Sequence, residues 1–425
     1  MGALSDLPAE LISHIVDYLH DDGKALKASA LVSRIFVARS QVHLFERVAL
    51  WIPDHGSGAN AGGNTYVLQT YISSDPDGLL SHTRSLLLGY LTLPQHLEEI
   101  YDHWMAFKNV EELQARLFTT HFVQDPMLLS RYFSHFRSTL RYLRLETWLE
   151  NPKDLIAFVA FFPFLEEVSI ETLSHDPPSL PDSKSEGLDP GLLSPLRGSL
   201  VLRKFQHEND FLVELAKVRV RYHTLSIWNG TVWTGLQELI IACGPTLRVL
   251  NLTCEACESF FLFDFERCWI TWFQVWIGSV SEMYRDLPMN FTRCTRLTEI
   301  TLPLPLNFSL ILDRYSTLIS DISSPHLQKI TLVLEKNQPS PIDIEMVMEM
   351  LLDEVWRTFE DALLGVSSRS RNVLEVVMAL SSIDHARRTP DCATFLPRFR
   401  EVGHVTFEFP WMVYAPLRSA QISLY

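Results

Sequence analysis

The chain has 425 residues, of which 47% are hydrophobic and 20% are charged, a composition typical of globular proteins with a large core. Its 51 acidic and 36 basic side chains give a formal net charge of −15. This balance disfavours nucleic acid as a partner, because an acidic chain repels phosphate. The 6 cysteines, spread over so long a chain, fit a reducing compartment better than a disulfide scaffold.

Neither a signal peptide nor a membrane span is predicted. Asp6 and Glu10 interrupt the N-terminal apolar stretch, and no basic segment precedes it. The most apolar segment, 268–280, is too short to cross a bilayer. N-x-S/T sequons occur at Asn229, Asn251, Asn290 and Asn307. Their excess over chance is small, and one of them lies inside a strand-like run. We therefore expect a protein of the cytoplasm or nucleus without a membrane partner.

The first fifty residues contain three short helical patterns. The first pattern, LSDLPAELISHIVDYL over 4–19, carries one apolar stripe, and Pro8 suits its first turn. The second passes through Leu26 and Leu31 and ends near Ser33, and the third runs from Phe36 towards Phe45. Three helices of this size bury little surface by themselves. Either they cap the domain behind them, or one apolar face docks on a partner.

The order of the segments LPAELISHIVDYL, KALKASALVSRIF and HLFERVAL carries a family resemblance. Residues 4–50 resemble an F-box, particularly the version common in mushroom-forming fungi. Phe36 stands where that family usually has Trp, and Ser33 where it often has Cys. The resemblance implies docking onto Skp1, the adaptor that links F-box proteins to a cullin scaffold. The Skp1-binding residues that it implies are Leu7, Pro8, Leu11, Ile12, Ile15, Leu19, Leu31, Val32 and Phe45.

After an F-box over 1–50, we predict a flexible connecting segment over 51–80, where DHGSGANAGGNT is rich in glycine. From 81 to 425 the pattern L-x-x-L-x-L returns with substitutions. Its copies start at 83, 110, 140, 165, 202, 222, 247, 297, 327, 373 and 399. Many neighbouring copies start about 20–30 residues apart, the period of leucine-rich repeats. Each copy has the period-2 apolarity of one short strand, and intervening helices imply parallel pairing.

The region 81–425 therefore resembles a leucine-rich-repeat domain, although Trp148 and Glu255 occupy places where the family expects Asn. The predicted fold class is α/β: a three-helix F-box followed by an irregular solenoid with a curved parallel sheet and outer helices. A Pro- and Ser-rich stretch, 174–199, predicts a mobile loop. A helix is predicted to start at Ser340-Pro341 and to end at Gly365.

No residue pattern indicates catalysis. Cys254, Cys257 and Cys268 supply only part of a zinc site, which needs four ligands, so we predict no metal, no cofactor and buried thiols. The aromatic segment 260–276 has helical spacing. It is read first as a buried helix and second as an interface.

The sequence thus predicts an adaptor that is not an enzyme. The F-box would hold Skp1, and the repeats would bind an unknown target protein, as in a substrate receptor of a cullin-based ubiquitin ligase. Candidate target-binding residues alternate with buried neighbours on the predicted strands: Arg141, Glu167, Arg248, Glu299 and Lys329. The alternative is a repeat scaffold outside the ligase whose first helices are only a cap. A hydrolase or transferase with an unfamiliar site is the third hypothesis, and a deep pocket would favour it.

Overall fold

The computed structural model describes residues 7–51, 78–89, 104–118, 126–147, 151–172, 195–203, 209–228, 233–253, 291–304, 309–334, 355–380 and 395–408. The chain divides into two compact units, Met1–Ser194 with Tyr414–Tyr425, and Pro195–Val413. Both units are α/β, with parallel strands that follow one another in chain order.

Three helices open the first unit: α1 (Ala9–Tyr18), α2 (Gly23–Val32) and α3 (Arg34–Glu46). Pro8 is the N-cap of α1, one position before the predicted first turn. Asp22 caps α2, and its Oδ1 accepts hydrogen bonds from the backbone N–H groups of Lys24 and Ala25, both at 3.0 Å. Ser33 is extended and separates α2 from α3, as the sequence predicts. Asp22 therefore satisfies unpaired N–H groups at the start of α2, whereas Pro8 and Ser33 make no side-chain cap hydrogen bond.

The first unit continues with a parallel sheet in which each strand pairs with the next along the chain. Its strands are β1 (Arg47–Trp51), β2 (Ser85–Gly89), β3 (Glu112–Phe118), β4 (Tyr142–Thr147) and β5 (Glu167–Thr172). Two further helices, α4 (Pro126–Phe133) and α5 (Pro152–Ala160), follow β3 and β4. Short 3-10 helices cover Leu79–His82 and Ser134–Phe136.

An aromatic cluster fills the core of this first unit. Trp104 packs edge-on against Phe133 and Phe136, with ring centroids 5.8 Å and 5.0 Å apart. Phe133 in turn meets Phe158 of α5 at 5.2 Å. The Trp104 indole N–H donates to the carbonyl of Tyr132. These edge-to-face contacts hold Trp104, α4 and α5 together beyond what burial alone provides.

The second unit contains seven of the described strands, again paired in chain order. They are β6 (Leu196–Arg203), β7 (Val220–Trp228), β8 (Val249–Thr253), β9 (Glu299–Leu304), β10 (Lys329–Leu334), β11 (Glu375–Leu380) and β12 (His404–Glu408). Its helices are α6 (Asn209–Lys217), α7 (Trp233–Cys243), α8 (Ser309–Ser320) and α9 (Val355–Arg369), with a 3-10 turn at Phe399–Glu401.

Rows of buried aliphatic residues run across both sheets. In the second unit Leu225, Leu250 and Ile300 are register partners and are at most 1% exposed. Residues on the opposite side of the same strands are polar or only partly buried. Asn251 shows this best, because its side-chain amide donates to Ser226 Oγ at 3.1 Å and its Oδ1 accepts from Thr301 Oγ1 at 2.9 Å. This sequon asparagine is therefore part of a polar ladder across three strands.

Several boundaries differ from the sequence predictions. The predicted strand at 202–207 lies earlier, as β6, so residues 196–199 belong to a strand and not to the predicted loop. The burial of alternate leucines explains the shift. Gly365 does not end its helix, since α9 continues to Arg369. A glycine weakens a helix interior but does not terminate it when flanking residues are buried.

Other predictions fall partly or wholly outside the described residues. These are most of the connecting segment (52–77), most of the loop (174–194), the aromatic segment 260–276, Trp148, Glu255, and the start of the predicted helix at 340–354. Residues 47–51 form β1, so the predicted F-box and the connecting segment both overlap the first strand. Across the described ranges, no helix combines the length and apolar character needed to span a bilayer.

Candidate docking surfaces

One face of α1 and the residue before its cap is apolar and open to solvent. Leu7, Leu11 and Ile15 are 38%, 49% and 46% exposed, and Tyr18 is 89% exposed. Their spacing of three and four residues places them on a single helical stripe. Pro8 is exposed beside them. A stripe of this kind has the character of a helix face that a partner groove covers.

A second exposed apolar set lies where α2 meets α3. Leu31 is 88% exposed, Val32 is 75% exposed and Ile35 is 39% exposed. The first two are the last residues of α2, and the third lies in the first turn of α3. Large aliphatic side chains that are this exposed contribute little to the stability of the folded chain.

Other apolar residues of the same helices form a small internal core. Val16, Leu26 and Phe36 are buried together, one from each helix, and Ile12, Leu19 and Leu44 pack against them. The structure thus divides the nine predicted Skp1-binding residues into three groups. Exposed are Leu7, Pro8, Leu11, Ile15, Leu31 and Val32; packed on the internal core are Ile12 and Leu19; half-buried at the end of α3 is Phe45.

Sequence reasoning missed two exposed members of these sets, Tyr18 and Ile35. Tyr18 continues the α1 stripe three residues after Ile15, so extending the same spacing would have found it. The exposure of Ile35 could not be found in this way, because the sequence pattern of α3 does not predict whether an isoleucine there is buried or exposed.

An ionic contact holds α1 against α3. The Asp17 carboxylate accepts hydrogen bonds from Arg39 Nη2 at 3.0 Å and from His43 Nε2 at 2.7 Å. The Arg39 guanidinium, with His43 as the second donor, keeps the pKa of the Asp17 carboxyl well below its ordinary value. The carboxylate reciprocally raises the pKa of Arg39. The polar side of α1 is thereby tied down while its apolar stripe stays free.

The predicted target-binding residues of the first unit lie at the beginnings of β4 and β5. Arg141 Nε lies 3.9 Å from Glu166, and its guanidinium covers the Phe164 ring at 5.2 Å. Glu167 is the register partner of Tyr142, next to Arg141 in sequence. Both are only partly exposed, and Arg141 is already engaged within the fold.

The remaining three predicted target-binding residues lie in the second unit. Glu299 and Lys329 are register partners on β9 and β10, and Glu375 is next to Lys329 on the other side. Arg248 immediately precedes β8, and its carbonyl accepts a hydrogen bond from Thr298 Oγ1 at 3.0 Å. These three therefore share one end of neighbouring strands, while Arg141 and Glu167 belong to a different unit.

A shallow, open cleft of about 640 Å³ lies at β11 and β12. Glu375, Arg400 and His404 contribute its titratable side chains. Glu375 Oε1 already accepts a hydrogen bond from Thr406 Oγ1 at 2.6 Å, and Arg400 Nε donates to the Phe395 carbonyl at 2.9 Å. This arrangement is a polar surface feature, unlike the deep convergent pocket that an enzyme hypothesis needs.

Thiols and metal ligands give no further site in the part of the chain that the structure describes. Cys243 and Cys294 are free and buried, and burial raises the pKa of each thiol to about 12, so both stay protonated. Within the described ranges no three His, Cys, Asp or Glu side chains are grouped to hold a metal ion. The Cys254–Cys268 region lies outside those ranges.

Comparison with known proteins adds no assignment to these surfaces. No model of a known protein family matches the chain, and no curated protein is significantly similar to it.

Proposed function

We propose that this chain is a substrate-receptor subunit of a Skp1–cullin–F-box ubiquitin ligase in the cytoplasm or nucleus. Its N-terminal helices would dock on Skp1, and its repeat body would hold a target protein. The supporting observation is that α1 and the α2–α3 junction expose large apolar side chains while a separate small core holds the helices together.

This separation matters because an F-box must satisfy two demands at once. It needs enough internal contact to keep three helices folded, and it needs apolar residues left over for the adaptor. Val16, Leu26 and Phe36 meet the first demand. The stripe through Leu11 and the Leu31–Val32 pair meets the second.

The repeat body supports the receptor half of the proposal. Parallel strands in chain order, with rows of buried aliphatic residues and a polar ladder through Asn251, suit a leucine-rich-repeat-like solenoid that binds protein along its strand face. Such a receptor has no catalytic residue or cofactor of its own. It accelerates ubiquitin transfer by holding a target lysine near a charged conjugating enzyme, which raises the effective concentration.

The alternative is a scaffold whose first helices only cap the sheet. It is favoured by the passage of α3 into β1 and by the bonds at that junction, where Arg84 N–H donates to the Glu46 carbonyl at 2.9 Å. Capping explains why α3 leads directly into β1 and why Phe45, at the end of α3, is half-buried. It does not explain why Leu31 and Val32 are left bare, so we favour docking.

Co-expression with Skp1 tests the proposal. Leu7→Asp with Pro8→Ala alters two exposed positions and should abolish co-purification without loss of folded protein. Val402→Asp is the matched control, since Val402 is 51% exposed and lies in the second unit. If the double variant still co-purifies with Skp1 like the unaltered chain, the chain is not an adaptor and the scaffold alternative stands.

A further inference from the structure

Exposed arginines gather where β6, β7 and β8 begin. Arg197 of β6 and Arg221 of β7 are direct register partners, and both are exposed. Arg219, also exposed, lies two positions before Arg221, and its carbonyl accepts the Leu196 N–H. Arg248 precedes β8, and its backbone N–H donates to the His223 carbonyl at 2.8 Å. We call Arg197, Arg219, Arg221 and Arg248 the arginine patch.

The strand geometry keeps these side chains close together. Neighbouring strands lie ~4.8 Å apart, and alternate residues of one strand lie ~6.6 Å apart on the same side. A register shift after Gly198, whose φ is 86°, makes His223 an extra residue in β7. The shift leaves Arg221 opposite Arg197 while the buried rows farther along the strands stay aligned.

The arginine patch contrasts with the first unit, where arginines near the beginnings of strands lie close to acidic side chains. Arg84 lies 4.0 Å from Glu111, and Arg144 lies 3.6 Å from Glu112. No acidic side chain among the described residues forms an ion pair with a member of the arginine patch. Like charges directly opposite each other on paired strands repel, so the unoccupied patch lowers the stability of its own sheet.

We propose that the arginine patch binds an anionic peptide segment of the target protein, one that carries carboxylate or phosphate groups. The inference rests on the proposed receptor function and names the chemistry of its target. Guanidinium groups match both anions by paired hydrogen bonds, and a bound anion removes the Arg197–Arg221 repulsion. In a chain of net charge −15, a cluster of free arginines also steers an acidic segment to this one place.

Fluorescence anisotropy on the full-length chain tests the proposal with three labelled peptides. The first alternates glutamate and serine, the second has glutamine in place of glutamate, and the third has glutamine with phosphoserine. We expect the glutamate peptide, the phosphoserine peptide or both to bind, with affinity that falls as salt rises. Binding of both shows that carboxylates suffice, and binding of the phosphoserine peptide alone shows that the target must be phosphorylated.

Variants locate the binding. Arg197→Gln with Arg221→Gln should weaken binding about tenfold, at roughly threefold for each exposed charge removed. Arg314→Gln, an exposed arginine on α8, is the control and should leave binding unchanged. Unchanged binding in the double variant, or equal binding of the glutamine peptide, would overturn the proposal. Displacement of the peptide by an oligouridine of higher affinity would also overturn it, in favour of nucleic acid.

Arg221→Glu gives a test that does not need a ligand. It replaces a repulsive pair with an attractive one, so the urea midpoint should hold or rise while anion binding falls. A marked drop in the midpoint would show that Arg221 has a structural partner and is not free for a target. All variants should co-purify with Skp1 as the unaltered chain does. Failure of the unaltered chain to bind Skp1 would count against the ligase and not against the arginine patch.

Discussion

Leu31→Ala should separate docking from folding. Leu31 is 88% exposed at the end of α2, whereas Leu26 on the same helix is 1% exposed in the internal core. Complete burial of a leucine side chain is worth ~1.5–3 kcal/mol, so covering the exposed 88% of Leu31 gives a partner about 1.3–2.6 kcal/mol. Those energies correspond to roughly 10- to 80-fold in Kd. We expect Leu31→Ala to weaken Skp1 binding by about tenfold, the lower end of this range, because alanine retains the Cβ.

Leu26→Ala is the matched variant, with the same chemical change at a buried site. Truncation of a buried leucine costs about 2–5 kcal/mol of folding free energy, whereas surface changes stay within about 0.5 kcal/mol. Isothermal titration with Skp1 measures the binding, and urea denaturation followed by circular dichroism measures the stability. If Leu31→Ala binds Skp1 at full affinity, or destabilises the fold as Leu26→Ala does, the reasoning that α2 presents Leu31 to a partner is refuted.

Four further substitutions should change stability. Gly403→Ala should destabilise the fold by about 1–3 kcal/mol, because an added Cβ would clash with the Phe399 ring. Gly365→Ala, with open space around it, should stabilise α9 by about 0.5–1 kcal/mol in urea melts. Asp17→Asn should loosen α1 at neutral pH, measured by hydrogen exchange. Because the folded pKa of Asp17 is depressed, its contribution is present above the ordinary value of 3.8 and is lost as the pH falls below it, so variant and wild type should converge in acid. Asn251→Ala should cost about 1–2 kcal/mol in urea melts, since two hydrogen bonds of the strand ladder are removed. An unchanged melt for Asn251→Ala, or an Asp17→Asn difference that persists in acid, would contradict the corresponding argument.

Most strand positions could be predicted from the sequence almost to the residue, and β1, β6, β7 and β12 are the exceptions. The copies of L-x-x-L-x-L at 140, 247 and 327 begin two residues before β4, β8 and β10. The first leucine of each copy is buried but belongs to the preceding turn; the Leu247 N–H, for example, bonds to the Cys243 carbonyl at 2.9 Å. The apolar pattern marks which residues are buried. Burial begins in the turn before each strand, ahead of the first hydrogen bond between strands, so the pattern starts earlier than the strand.

The division of the N-terminal helices into core and surface could not be predicted. Ile12 and Ile15 are both isoleucines on one amphipathic helix, yet Ile12 packs against the internal core while Ile15 is 46% exposed. The angle at which α1 crosses α3 decides this, and that angle depends on tertiary contacts such as the one made by Asp17. The arginine patch was equally hidden, because the register of Arg197 and Arg221 depends on a shift that no local pattern announces.

The junction between α3 and β1 has a mechanical consequence. Glu46 ends the helix and Arg47 begins the strand, with no residue between them, and Thr83 Oγ1 fastens the join by donating to the Phe45 carbonyl at 2.8 Å. Helix α3 and strand β1 therefore form one rigid unit, with no flexible linker between them. A protein bound to the helices would therefore have one fixed orientation relative to β1–β5. Inserting a Gly-Ser pair after Glu46 should change that orientation while leaving the helix surface and the strand surface themselves unaltered.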